Sequence, residues 1–365
     1  MSKPLEICII IDERIGENSI LHGILDKISI PPNTNVSYFK IEDTSRPKWL
    51  RNITSIFIKL GFMPKRFFSY YISKIGLEGE LKNIDILICR NGQSSFLAQA
   101  YQTRYGRTFT ICWHRPSGFP KSSKFFDVII RYNKKSLKSD STATSTIFET
   151  SPIFPVKINR KDMVISGVQF LKKNKLQSTG VTRWALFLGG NCTEYQYSES
   201  DIIDLTSSMK KLSVSLGIRW LITTSPRTPE TWPNIITNSL GEHIDYLVDY
   251  QTTPESVVPS YLEICDVVCA TEDSATMVCE CIAAAKKTIV ITTKENQKNF
   301  NPNGYYGQIV NSLVEENYVQ HCMFNDLHTT NQHDFNSCDI YDIRMGELEQ
   351  ILTKKYLTYT SLKNK

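Results

Sequence analysis

A chain of 365 residues has room for two domains of ordinary size. With 41% hydrophobic and 22% charged residues it has the composition of a globular protein, which excludes the disordered and fibrous classes. A formal net charge of +5 fits an anionic ligand or surface and is too mild to mark a nucleic-acid binder, so no nucleic-acid partner is expected. No signal-peptide pattern opens the chain, and its longest apolar runs fall far short of a membrane span, so a cytoplasmic protein is expected.

The first element, Ile7 to Ile11, is a continuous apolar run, as in a buried parallel strand. It ends at Asp12 and Glu13, and a helix is predicted around Ser19 to Ile28. Val36 to Ile41 reads as a second strand. Ile84 to Cys89 is another, running into Arg90 and then a helix through about Tyr105. Thr108 to Trp113 and Asp127 to Arg131 follow as strands, the former ending at His114. Strands alternating with helices define an α/β chain with an open parallel sheet.

Between Arg46 and Lys74 lie seven basic residues and no acidic ones, interleaved with aromatics; Ile53, Ile56, Phe57 and Leu60 have amphipathic helical spacing. Such a segment, 46–74, can rest on an anionic membrane face; the alternative is a core helix with solvated lysines. A Ser/Thr/Lys-rich stretch from Lys134 to Ser145 then interrupts the pattern, and the domain boundary is placed between there and about Gly180.

The second half repeats the style. Trp184 to Leu188 is a strand ending in Gly189, Gly190 and Asn191, followed by a helix over roughly Ser198 to Leu216. Arg219 to Thr223 is a strand that enters a loop carrying Ser225 and, between Pro226 and Pro229, Arg227. Val257 to Ile264 looks helical. Val267 to Ala270 is a strand, and Thr271-Glu272-Asp273-Ser274 opens a helix to about Ala285. Thr288 to Thr292 is a further strand, and Met345 to Tyr356 has helical periodicity.

In open α/β sheets, ligands bind beyond the carboxyl ends of the strands. Paired glycines there let backbone approach a ligand, and a fixed guanidinium suits a phosphate. Asp273 or Ser274 is a good helix N-cap, and the helix N-terminus behind it offers unpaired amides to a diphosphate. Thr276 adds a hydroxyl. Glu280, two turns on, is placed to accept both hydroxyls of a ribose. The ten cysteines include no CxxC pair and no Cys/His cluster at zinc-ligand spacing, so free thiols and no metal are expected.

Taken together, these segments resemble the bacterial branch of the mitochondrial-fission ELM-type proteins, once labelled nucleoside-diphosphate-sugar epimerases. The shared features are Asp12 with Gly16-Glu17-Asn18, Arg90 with Ser94-Ser95, and Trp113-His114-Arg115-Pro116. The second half adds Gly189-Gly190-Asn191, Thr224 to Glu230, and Asp273-Ser274 through Met277 to Glu280. Pro226 stands where the family has an arginine, and Ala285-Lys286-Lys287 where it has Gly-Lys-Pro.

The resemblance implies two Rossmann-like domains facing a cleft, the GT-B architecture. Residues 1–160 form the acceptor side and 181–335 the nucleotide-sugar side, with 336–365 packing back on the first. It implies a metal-independent glycosyltransferase with no cofactor beyond the nucleotide-sugar co-substrate. It implies an acceptor that is a glycan or lipid-linked molecule of bacterial surface-polysaccharide assembly, at the inner face of the inner membrane. Donor contacts fall to Gly189, Gly190, Asn191, Ser225, Arg227, Asp273, Ser274, Thr276, Met277 and Glu280. Asp12, Glu13 and His114 are the candidates for the general base. Two alternatives stay open: an epimerase acting on the nucleotide sugar itself, and a membrane-associated adaptor. A nicotinamide-dependent epimerase is disfavoured, because no GxGxxG follows the first strand.

Overall fold

A computed structural model describes residues 4–12, 15–41, 83–106, 108–116, 121–132, 146–149, 153–299, 305–330 and 339–363, with 52–53, 56–57, 64, 66–67 and 70. Glu13 and most of the segment 46–74 lie outside the described residues. The chain divides into two compact units, one of residues 1–157 with 342–365 and one of residues 158–341.

The first unit is built on a six-stranded parallel sheet: β1 (Leu5–Ile11), β2 (Thr34–Lys40), β3 (Ile86–Arg90), β4 (Phe109–Trp113), β5 (Val128–Arg131) and β6 (Thr146–Glu149). Their spatial order is β2-β1-β3-β4-β5-β6. Ile7, Ile9, Ile86 and Ile88 are buried, as β-branched residues in a two-sided sheet should be. Helix α1 (Ile15–Leu25) starts four residues before the expected Ser19. Helix α2 (Gln93–Tyr105) buries Phe96, Leu97 and Tyr101 against Cys8, Leu87, Cys89 and Cys112. The chain rejoins this unit through its C-terminal helix, Asp339–Lys363: the Tyr356 and Tyr359 rings lie 5.4 and 5.6 Å from that of Phe109, and Lys363 pairs with Asp85 at 3.3 Å.

The second unit opens with α3 (Arg160–Lys173), capped by the Asn159 side chain. Its strands are β7 (Arg183–Phe187), β8 (Arg219–Thr223), β9 (Ile244–Val248), β10 (Val267–Thr271), β11 (Lys287–Thr292) and β12 (Gln320–Met323). They too form a six-stranded parallel sheet, in the order β12-β11-β10-β7-β8-β9. Around it run α4 (Glu199–Leu216), α5 (Trp232–Leu240), α6 (Val258–Ile264), α7 (Ala275–Ala283), α8 (Lys294–Lys298) and α9 (Tyr305–Glu315). The core centres on Trp184 and Trp220, register partners whose rings meet edge-on at 5.8 Å. At the sheet's N-terminal edge, Arg183 and Arg219 each reach Asp245 at 2.7 Å.

Strand order sets where each unit offers a crevice. In the first sheet β1 leads outward to β2, and β3 then returns on its other side; in the second, β7 leads to β8 and β9, and β10 returns beside β7. Loops leaving β1 and β3, and those leaving β7 and β10, therefore diverge at a topological switch point.

Candidate functional site

Three loops converge at the second unit's switch point. The β7 loop brings Gly189 and Gly190, the β8 loop Ser225 to Thr228, and the β10 loop Thr271 to Ser274. The approach is too close for side chains on the glycines. A Cβ on Gly189 would lie 2.2 Å from an Asp273 carboxylate oxygen, and one on Gly190 2.2 Å from the Arg227 carbonyl. Sequence spacing expects the glycine amides to face a ligand. Instead Gly189 N–H donates to Thr271 Oγ1 at 2.7 Å and Gly190 N–H to Asp273 Oδ2 at 3.1 Å. The glycines let the three loops lock together.

Asp273 is the centre of that lock. It is fully buried and accepts from Gly190 N–H, from the Tyr197 hydroxyl at 3.2 Å, and from Arg227 Nη2 at 2.5 Å. Burial pushes its carboxyl above the usual range, and the Arg227 guanidinium opposes the shift. The place given it among donor contacts is therefore corrected: its oxygens are consumed inside the protein. The same holds for Ser225, buried and bonded to Arg227 N–H and Thr228, whereas half-buried Asn191 accepts from Tyr197 N–H through its Oδ1 at 2.8 Å. Thr228 ties the β8 loop to the β7 loop, donating to the carbonyls of Leu188 and Gly189.

Arg227 differs. Its side chain stays 41% exposed although one nitrogen holds Asp273. Ser274 stands at the N-cap of α7, yet its hydroxyl makes no capping bond; it turns to Asp273 Oδ2 at 3.3 Å, and Arg227 Nη2 lies 3.4 Å from it. The first amides of α7 thus lack the side-chain acceptor that the sequence predicts. Ser274 itself is buried at 8% exposure, while Thr276, Met277 and Glu280 are half-buried along the helix. Of Met277, Val278, Cys281 and Ile282, whose helix-face spacing reads as core, the last three are buried and Met277 is half-buried.

At the first unit's switch point, Asp12 beyond β1 forms an ion pair with Arg90 at the end of β3. Both are mostly buried. The Asn18 side chain donates to the Asp12 carbonyl at 2.8 Å. His114, on the neighbouring strand end, sits in the left-handed region at φ 64, uncommon for a residue with a side chain. Burial, with Arg90 adding to it, pushes its imidazole down to about 4. Arg90 thus acts on two of the three base candidates, Asp12 and His114, a role that motif spacing does not reveal because it lies 78 residues from Asp12. Among the described residues, no three His, Cys, Asp or Glu side chains gather as metal ligands, and no helix is long and apolar enough to cross a membrane.

Two parallel Rossmann-like sheets, each with polar groups at its switch point, define an α/β protein of the GT-B-like class. Residues 158–338 match the model of the family described as mitochondrial fission ELM1, so the resemblance drawn from Gly189, Arg227 and the Asp273–Glu280 run holds over that stretch. A solved UDP-N-acetylglucosamine 2-epimerase superposes with a TM-score of 0.52 at 10% identity, covering 99% of this chain and 97% of its own. The UDP-GlcNAc 2-epimerase of Neisseria meningitidis, bound to UDP-GlcNAc, gives 0.51 at 10% identity over 98% and 100%. A putative UDP-N-acetylglucosamine 2-epimerase of Listeria monocytogenes gives 0.50 at 13% over 96% and 91%. At these identities the likeness is one of fold. No curated protein matches the sequence.

Proposed function

We propose that this protein binds a nucleotide sugar on its second unit and transfers the sugar to a glycan or lipid-linked acceptor, at the cytoplasmic face of a bacterial inner membrane. One observation carries the reading. At the β7/β10 switch point an arginine whose side chain is 41% exposed is held by a buried carboxylate and stands at a helix N-terminus that has no side-chain cap. Charge develops on the leaving diphosphate during sugar transfer, and donors fixed in advance stabilise it without reorganising. Arg227 and the α7 amides have that role here. Glu280 takes the ribose hydroxyls, and Thr276 and Met277 line the approach.

For the acceptor hydroxyl the reading assigns His114 as general base. Its imidazole is neutral through the physiological range, so its nitrogen is free of a proton to be displaced first. Asp12 is engaged with Arg90 and serves as the second candidate. The scheme assigns the diphosphate to side chains and backbone, with no metal ion in it.

Epimerisation of the nucleotide sugar is the second reading, favoured by the fold likeness to three UDP-N-acetylglucosamine 2-epimerases. Calorimetric titration with a panel of nucleotide sugars tests what the two readings share. Binding that weakens at least tenfold in Arg227→Lys supports both; no binding by the folded protein to any member sinks both. Turnover separates them: the transferase consumes donor only with an acceptor, whereas the epimerase interconverts the free nucleotide sugar.

A further inference from the structure

The outward face of α3 has no part in that chemistry. Its inward face is fully occupied: Met163, Gly167 and Phe170 are buried, and the Phe170 ring meets those of Tyr246 and Tyr261 edge-on at 5.0 and 5.4 Å. A Cβ on Gly167 would fall 2.6 Å from Glu263 Cγ, so α3 lies tight against α6. On the opposite side, Lys161, Val164, Ile165, Val168 and Lys172 follow one another at i, i+3, i+4, i+7 and i+11, which puts them on a single stripe.

Val164, Ile165 and Val168 are 50%, 58% and 62% exposed. Aliphatic side chains are common singly on a surface, but here three adjoin. An exposed lysine closes the stripe at each end, and exposed Lys175 follows just past the helix. Lys173 is engaged with Glu255 at 2.6 Å. The helix's acidic residue, Asp162, falls off the stripe by the same helical spacing.

We propose that this stripe is a membrane face that rests on an anionic phospholipid surface. The three aliphatic side chains enter the interfacial layer, and the lysines extend along it to reach headgroup phosphates. A second copy of the chain fits worse, because a twofold contact through the stripe would set lysines against lysines. The proposal makes no use of the segment 46–74 and does not depend on the nucleotide-sugar reading.

Co-sedimentation of the full-length protein with vesicles tests it, at low ionic strength where surface charge is least screened. Vesicles of equal parts phosphatidylglycerol and phosphatidylcholine are compared with phosphatidylcholine alone. The wild type should bind the mixed vesicles more tightly. Val164→Asp/Val168→Asp should lower the partition coefficient about tenfold, through lost apolar contact. Lys161→Glu/Lys172→Glu should lower it about fivefold or more per lysine and remove the preference for phosphatidylglycerol. All four positions are exposed, and unchanged circular dichroism and melting establish that the variants fold. Any of three results overturns the proposal: no wild-type binding to either vesicle, variants that bind like wild type, or a wild-type dimer that the aspartates dissolve.

Discussion

Arg227 has two demands on its guanidinium, one structural and one chemical, and an alanine substitution removes both together. Without it, Asp273 is left fully buried as a charge, satisfied by neutral donors such as Gly190 N–H and the Tyr197 and Ser274 hydroxyls. Arg227→Ala should therefore lower the unfolding free energy in urea by about 3 kcal/mol, the scale for breaking a buried pair from one side. Arg227→Ala/Asp273→Asn should recover most of that, since no charge is stranded, yet still fail to bind donor. A double variant that regains donor binding would show that Arg227 only holds Asp273. His114 makes a second residue-level prediction. Its folded-state pKa of about 4 lies below the unfolded value near 6.5. As pH falls from 6.5 to 4 the unfolded chain takes up a proton that the folded chain refuses, so stability drops by about 3 kcal/mol across that window and no further below it. His114→Asn, chosen because asparagine tolerates positive φ, should flatten this part of the urea-midpoint profile. If His114 is the base, wild-type kcat/KM should hold until about pH 4, whereas a base with an ordinary imidazole would fail near 6.5.

At the scale of elements, two glycines separate close approach from backbone freedom. Gly190 must be small because the β8 loop's backbone lies against it; an alanine there forces the loops apart. Gly190→Ala should cost about 1–3 kcal/mol, the range for overpacking, and should weaken donor binding with it. Gly217 ends α4 at φ 67 with open space around it. Gly217→Ala should cost about 1 kcal/mol through the left-handed backbone alone and leave donor affinity unchanged. Thermal melts with titrations on both variants check the contrast. The same elements show what a sequence discloses. Isoleucine-rich β1 and β3, and the strand-end motifs at Gly189, Arg227 and Asp273, are legible because two-sided burial and position after a strand leave local marks. β6 (Thr146–Glu149), an edge strand beside a polar stretch, carries no apolar run and goes unread. So does α3, because Lys172 and Lys173 look like a linker's charge run but sit in a helix's last turn, where they complement its dipole. Least legible is the pairing of Arg227 with Asp273, 46 residues apart. It depends on which strands neighbour β7, and that is a property of the sheet.

The whole molecule is asymmetric in how its units are made. Residues 158–341 are continuous and contain a complete sheet, whereas the first unit includes both ends of the chain. Its C-terminal segment contributes Met345, Leu348, Leu352 and Tyr359, each buried to 7% exposure or less, and covers Phe109 with two tyrosine rings. Burying such side chains contributes roughly 1.5–3 kcal/mol each, so ending the chain at residue 341 removes about 6–12 kcal/mol, a range that a compact denatured state lowers. A domain's whole stability is about 5–15 kcal/mol. A protein of residues 1–341 should therefore have a first unit that is marginal or unfolded at 25 °C, beside a second unit whose core is untouched. Calorimetry should show one transition lost or moved far down and one retained. The isolated fragment 158–341 should melt cooperatively at the retained temperature. Because Arg227, Asp273, α7 and Glu280 all lie within it, that fragment should also bind the nucleotide portion of the donor without turning it over. A 1–341 protein that melts like the full chain would show that the C-terminal helix is dispensable to the first unit. A folded 158–341 fragment that binds no nucleotide, while the full chain does, would show that the donor site needs residues from the first unit.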